Sequence, residues 1–215
     1  MKAEYKMTLA PQTIETAQPK AKAVLEKALA QVGFIPNMYA AMVNSPGVLE
    51  TYLLGYAAFR QDSDFTPPEQ EVVFLTISRE NGCEYCVSAH SMLADKKSNL
   101  APEVTDAIRD GAPIRDAKLA ALSAFTRRMV TSRGLPSRAD VEAFLAAGYR
   151  ERHILEIVLA IAVKTLSNYA NHLFHTPLDP MFAERAWRDA GGSKDSRLAG
   201  GARRPELTGA AVSRR

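Results

Sequence analysis

Residues 71–90 read EVVFLTISRENGCEYCVSAH, and this stretch decides the fold class. Thr66-Pro67-Pro68-Glu69 ahead of it combines a capping box with first-turn prolines, so a helix starts there. Asn81-Gly82 is a stop signal of the left-handed type, and a second helix opens at or just before Cys83. The reading is a helical hairpin with two cysteines beyond its turn. Cys83 and Cys86 are the only cysteines in 215 residues. In a helix opening at Cys83, 100° per residue places Cys83, Cys86 and His90 within an arc of roughly 60°.

Helix signals continue on both sides. Pro19–Gln31 is amphipathic and stops at Gly33, followed by a turn-like FIPN; Ser45-Pro46 opens a helix to about Arg60. Downstream, Pro102–Asp110, Asp116–Ser132, Ser137–Ala147 and Arg150–His175 read as helices, and Asp179-Pro180 caps a last one through Trp187. No period-2 strand pattern stands out. The expected architecture is all-α. The apolar run Ile154–Leu166 is interrupted by Glu156 and Lys164, which favours a buried central helix over a membrane span. Sliding residues 67–92 by 82 positions lays His90 on His172 and Glu71 on His153. A degenerate repeat of one helical pair would look like this, as would chance alignment of apolar helices.

Formal net charge is +3 and unevenly placed. Residues 191–215 hold six Arg/Lys and two acids, so the tail carries +4 and residues 1–190 carry −1. The expected organisation is one all-α domain over 1–190 and a basic, disordered tail over 191–215. The body gives no electrostatic case for nucleic acid. With no signal-peptide-like N-terminus, a cytoplasmic protein is expected, where a close cysteine pair points to catalysis or metal binding rather than a structural staple.

A free thiol with pKa ~8.5 is only about 3% thiolate at neutral pH, and the thiolate is the reacting species. The helix N-terminus favours Cys83 as the activated thiol. His90, one turn after Cys86, favours Cys86 because it takes that proton directly or through a water. Glu71 on the preceding helix would hold the imidazole in the useful tautomer. A base also restores its proton during turnover, whereas a dipole cannot, so Cys86 is read as the attacking thiol and Cys83 as the resolving one. Zinc would need ligands beyond Cys83, Cys86 and His90, such as Glu71, and no metal or cofactor is expected. His172 and His175 read as satisfied polar groups, and Tyr52, Tyr56 and Phe59 as core or subunit contact.

The pattern Glu71-x11-Cys83-x2-Cys86-x3-His90 resembles the signature of the AhpD-like alkylhydroperoxidases, within the carboxymuconolactone decarboxylase superfamily. GFIPNMYAAMVNSPGVLE before the motif and NHLFHTPLDPMFAERAW after it resemble the peroxidase-related branch. The resemblance implies an all-α bundle, homo-oligomeric assembly, and peroxide reduction in which the second cysteine attacks and the first resolves. Glu71 and His90 would relay the proton, and an external dithiol, on a lipoyl-bearing or thioredoxin-like protein, would reset the pair. Tyr85 stands where the best-studied members carry histidine, and a phenol does not act as a base near neutrality. Two other readings use the same residues: a redox-sensing module in which the disulfide changes assembly, and a metal-assisted decarboxylase or hydrolase.

Overall fold

The computed structural model describes residues 3–189; the basic segment 191–215 lies outside them. Among the described residues nine α-helices follow in order: α1 Pro19–Val32, α2 Asn37–Met42, α3 Pro46–Asp62, α4 Pro67–Glu80, α5 Glu84–Lys96, α6 Pro102–Asp110, α7 Ala117–Thr131, α8 Arg138–Ala146 and α9 Glu151–Phe174. A 3₁₀ segment, Pro180–Arg185, closes the described chain. The fold is all-α, as the hairpin stretch implies.

The central helix is α4, not α9. Ten consecutive residues, Glu69–Ser78, are buried, because α5, α6, α7 and α9 pack around it. Its start is a capping box: the Glu69 carboxylate accepts from the Thr66 N–H at 2.9 Å and from its hydroxyl at 2.8 Å. Its end is a Schellman motif, in which Gly82 takes φ +66° and the Cys83 N–H donates to the Ser78 carbonyl at 2.9 Å. Cys83 is therefore fixed to the end of α4 while serving as the N-cap of α5.

The long helix α9 has the length and hydropathy of a membrane span, yet it packs against α2, α3, α4, α5 and α7. It keeps an exposed face that includes Leu155, Val158 and Tyr169. The segment 149–174, onto which the weak echo slides the α4–α5 hairpin, is occupied by this one unbroken helix. The echo therefore does not correspond to a second hairpin.

Two elements depart from expectation. The helix α2 follows the FIPN turn, where no helix was read; its first N–H donates to the Asp179 carboxylate at 3.1 Å, a cap 142 residues away. The last element is 3₁₀ rather than α. The carbonyls at its C-terminal end are taken by one side chain: Arg109 donates to the Arg185 carbonyl at 2.9 Å and to that of Ala186, just beyond it, at 3.1 Å.

Candidate active site

Glu71 lies in the second turn of α4 and His90 mid-way along α5, and the hairpin brings their side chains together. The Glu71 Oε2 meets His90 Nδ1 at 2.9 Å, and both side chains are buried. The other carboxylate oxygen accepts from Arg60 on α3 at 2.5 Å and from the Ser98 hydroxyl at 3.2 Å. Phe74, one turn after Glu71, stacks on Tyr56 and lies 4.9 Å from the His90 ring. Arg60 and Lys164 sit over its face at 4.8 and 5.5 Å.

The unforeseen member is Lys164. Its Nζ lies 3.0 Å from His90 Nε2, and the residue is 1% exposed. No hydrogen bond joins His90 to Cys86 among the described residues; the nitrogen expected to face the thiol faces this ammonium. The apolar sequence around Lys164 made it look like an interruption in a greasy run. The signal that could have found it is the spacing of Lys164, Ser167, Asn168 and Asn171 at i, i+3, i+4 and i+7, a polar stripe on a helix that is otherwise largely apolar. That stripe faces the cysteines. Ser167 lies 3.8 Å from the Cys86 Sγ, and the Asn171 amide donates to Cys86 at 3.3 Å and to Cys83 at 3.8 Å.

The two thiols, both free, lie in different electrostatic settings. Burial would push the Cys86 thiol up, but the Cys83 hydrogen bond and the charge of Lys164 outweigh it and hold Cys86 well below the usual thiol range. Burial pushes Cys83 the other way, well above that range, and its bond to Cys86 adds to the rise. Burial lowers the His90 imidazole to about 4, and Lys164 assists. It is neutral at pH 7, with its Nδ1–H donated to Glu71 and Nε2 accepting from Lys164. Burial opposes the Glu71 charge, but His90 and Arg60 hold the carboxyl below its usual range. Arg60 pairs with Glu71, and Lys164 is the positive charge that lowers the Cys86 thiol.

In front of Cys86 lies a cavity of about 280 Å³ whose walls include Tyr39, Tyr52, Tyr56, Tyr85, His90 and Lys164, with Met181 and Phe182 of the 3₁₀ segment. Tyr52 and Tyr56, read from sequence as core or subunit contact, thus line the space above the thiol; Phe59 is core. Tyr85 donates its hydroxyl to Asp179, and burial together with that bond raises its phenol well above the usual range.

Residues 46–127, which include all of the hairpin, match the model of the Carboxymuconolactone decarboxylase family. The same fold recurs in the "alkylhydroperoxidase AhpD core: uncharacterized peroxidase-related protein" from Ralstonia eutropha JMP134. That structure is 21% identical with a TM-score of 0.69, over 84% of this chain and 96% of that one. Residues 46–127 are thus similar to the carboxymuconolactone decarboxylase family in sequence, and the chain has the AhpD-like fold. A second structure of the same fold, an uncharacterized peroxidase-related protein from Silicibacter sp. TM1040, aligns at 19% identity and a TM-score of 0.66, covering 82% and 95% of the two chains. The debrominase Bmp8, solved in complex with 2,3,4-tribromopyrrole, has the fold too, at 16% identity and a TM-score of 0.67 over 84% and 96%. At these identities the structures show the shared fold. No curated protein matches the chain. Within this AhpD-like chain, the sequence motif Glu71, Cys83, Cys86 and His90 is gathered at one place, and Lys164, Ser167, Asn171 and Arg60 complete it.

Proposed function

We propose that the chain is a thiol-dependent peroxidase in which Cys86 attacks, Cys83 resolves, and Lys164 with His90 manages the proton. The observation that carries this reading is the Cys86 sulfur beside a cavity and within reach of the Asn171 amide and the Ser167 hydroxyl. The Lys164 charge is among the causes that hold its thiol well below the usual range. The thiolate attacks the outer oxygen of a hydroperoxide, the O–O bond breaks, and the leaving alkoxide takes a proton from the Lys164 ammonium. Cys86 becomes a sulfenic acid. The Cys83 sulfur then attacks it, the S–O bond breaks, and the hydroxide leaves with the Cys83 proton as water. Lys164 regains its proton through His90 or solvent. An external dithiol supplies the two electrons that reopen the Cys83–Cys86 disulfide. The exposed Leu54 on α3 and Leu155 on α9, two helices that pack together, support homo-oligomeric assembly.

A second reading has one specific support. The same thiolate can take a halogen from a halogenated ring: the carbon–halogen bond breaks, and the ring carbon keeps the electron pair and takes a proton from the Lys164 ammonium. Halide leaves with the Cys83 proton when Cys83 closes the disulfide. The Bmp8 fold likeness and the aromatic walls of the Cys86 cavity favour trying it.

Both readings are tested on fully reduced protein by stopped flow with hydrogen peroxide, cumene hydroperoxide and 2,3,4-tribromopyrrole, counting thiols and halide. The peroxidase reading expects rapid loss of two thiols to an intramolecular disulfide, abolished in Cys86→Ser and arrested at a sulfenic or over-oxidised state in Cys83→Ser. Oxidation no faster than that of a free thiol, or a Cys86→Ser variant with unchanged turnover, rejects it. Halide release in place of peroxide consumption selects the second reading.

A further inference from the structure

Three sulfur atoms meet at one amide. The Asn171 Nδ2 lies 3.2 Å from the Met38 Sδ, 3.3 Å from the Cys86 Sγ and 3.8 Å from the Cys83 Sγ. All four residues are buried. Met38 reaches the cysteines because α2, capped by Asp179, packs against α9, which carries Asn171. The thiol chemistry makes no use of Met38. A carboxamide has two N–H donors, and here it faces three sulfur acceptors. The cluster is therefore richer in soft lone pairs than in donors.

The way in is sulfur-lined as well. Of the seven methionines in the chain, Met38, Met92 and Met181 are walls of the same 280 Å³ cavity as Cys86. Met181 is 48% exposed, whereas Met38 and Met92 are buried, so thioethers stand both at the surface and beside the thiols. Harder ligands are engaged elsewhere. The two nitrogens of His90 meet Glu71 and Lys164, and the Glu71 carboxylate meets Arg60, His90 and Ser98. Among the described residues no His, Asp or Glu joins the two cysteines in a group of three that could hold a metal ion. Zinc, which takes four ligands from thiolate, imidazole and carboxylate, is thereby disfavoured.

We propose that the reduced chain binds one Cu(I) ion through the sulfurs of Cys83, Cys86 and Met38. Two thiolates and a thioether are the soft donor set that selects Cu(I) over the harder divalent ions. The ion takes over from the Asn171 amide as the partner of the three sulfur lone pairs. Each cysteine coordinates as a thiolate, any displaced thiol proton goes to solvent, and no electron is transferred. A monovalent ion also suits the charge: two thiolates around Cu(I) leave a single negative charge, beside the positive Lys164. A Cys83–Cys86 disulfide leaves no thiolate for the metal, so copper occupancy and oxidation of the pair exclude each other. The site is one that only the reduced protein offers.

The test uses the full chain, reduced and kept anaerobic, titrated with the acetonitrile complex of Cu(I) against the chromophoric chelator bicinchoninate. The protein is expected to withdraw one equivalent of copper from the chelator. Protein whose disulfide has been formed with diamide, checked by thiol counting, is expected to withdraw none. X-ray absorption at the copper edge of the wild type, which needs no variant, should show three sulfur neighbours. Met38→Leu conserves side-chain volume; it should weaken binding roughly tenfold or more and leave two sulfur neighbours. Failure to withdraw copper, equal binding by the oxidised protein, a wild-type shell of two sulfurs, or a Met38→Leu affinity within twofold of wild type overturns the site. Neither measurement involves a peroxide, so failure here does not bear on the peroxidase reading.

Discussion

His90 gives a quantitative handle on the buried charge chain. Burial and Lys164 hold its imidazole at about 4, against an ordinary 6.5. A group whose folded pKa lies below its unfolded value takes up its proton first in the unfolded chain. Its contribution to stability is thus intact above pH 6.5 and lost as pH falls toward 4. The full span of 2.5 units corresponds to about 3 kcal/mol, and about 2 kcal/mol of it is gone by pH 5. Glu71, whose ordinary value is 4.5 and whose folded value is lower still, contributes its own loss mainly below that window. The Cys86 thiolate would titrate alongside, so the comparison belongs in a Cys86→Ser background. Urea unfolding at pH 7 and pH 5 is measured in Cys86→Ser and in Cys86→Ser/His90→Gln. The parent should lose about 2 kcal/mol more than the His90→Gln protein over that interval. Other histidines, His172 among them, cancel in the difference. Equal losses in the two proteins, within about 0.5 kcal/mol, would show that His90 is not held neutral by its surroundings.

Lys164→Met keeps the length of the side chain and removes its charge, so the Cys86 titration midpoint, read from thiolate absorbance near 240 nm, should rise. Each unit of rise above pH 7 removes tenfold of thiolate and restores about threefold of nucleophilicity, so alkylation slows about threefold per unit; an unmoved midpoint would exclude Lys164 as the stabilising charge. Glu71→Gln leaves Arg60 as an uncompensated, largely buried cation and should cost about 3–5 kcal/mol in urea unfolding, with a loss below 1 kcal/mol counting against the pair. Gly55→Ala should cost about 1–3 kcal/mol, since an added Cβ would lie 2.8 Å from Val163 across the α3–α9 contact; unchanged stability would mean these helices separate freely.

The parts of the fold legible in the sequence are those whose signals are local. The capping box at Thr66, the left-handed Gly82 and the helical spacing of Cys83, Cys86 and His90 lie within a few residues of the features they specify, and the hairpin forms where they place it. Helix α2 was invisible because six residues carry too little periodicity and its cap is Asp179, supplied by tertiary structure. The last helix, read through Trp187, ends earlier and as 3₁₀ for a related reason: Pro180 announces a helix, but Arg109 takes the carbonyls of Arg185 and Ala186 that would continue it. Lys164 is the instructive failure. A lysine in a greasy helix is ambiguous until its partners are known, and those partners lie on α4 and α5, more than 70 residues earlier.

Tyr85 shows how a departure at one motif position is absorbed elsewhere. A histidine there would stand between the two cysteines as a candidate base. On the peroxidase reading proposed above, the proton-handling groups come from outside that position, from Lys164 and His90 behind Cys86. The phenol is instead committed to Asp179, which also caps α2, so one carboxylate ties the α5 N-terminus, α2 and the 3₁₀ segment together. Two roles for Tyr85 then predict opposite outcomes for Tyr85→Phe. A wall and tether predicts a loss of about 1.5–3 kcal/mol in stability, the range for a hydrogen bond to a charged group. It also predicts faster hydrogen exchange over residues 180–187 and a rate of Cys86 oxidation by hydroperoxide within about threefold of wild type, well short of a general-acid effect. A proton donor to the leaving oxygen predicts a rate loss of a hundredfold or more with little change in stability. The raised phenol pKa and the carboxylate already occupying its proton favour the first, because a group must release its proton to the substrate to act as an acid, and this one is held where release is hardest.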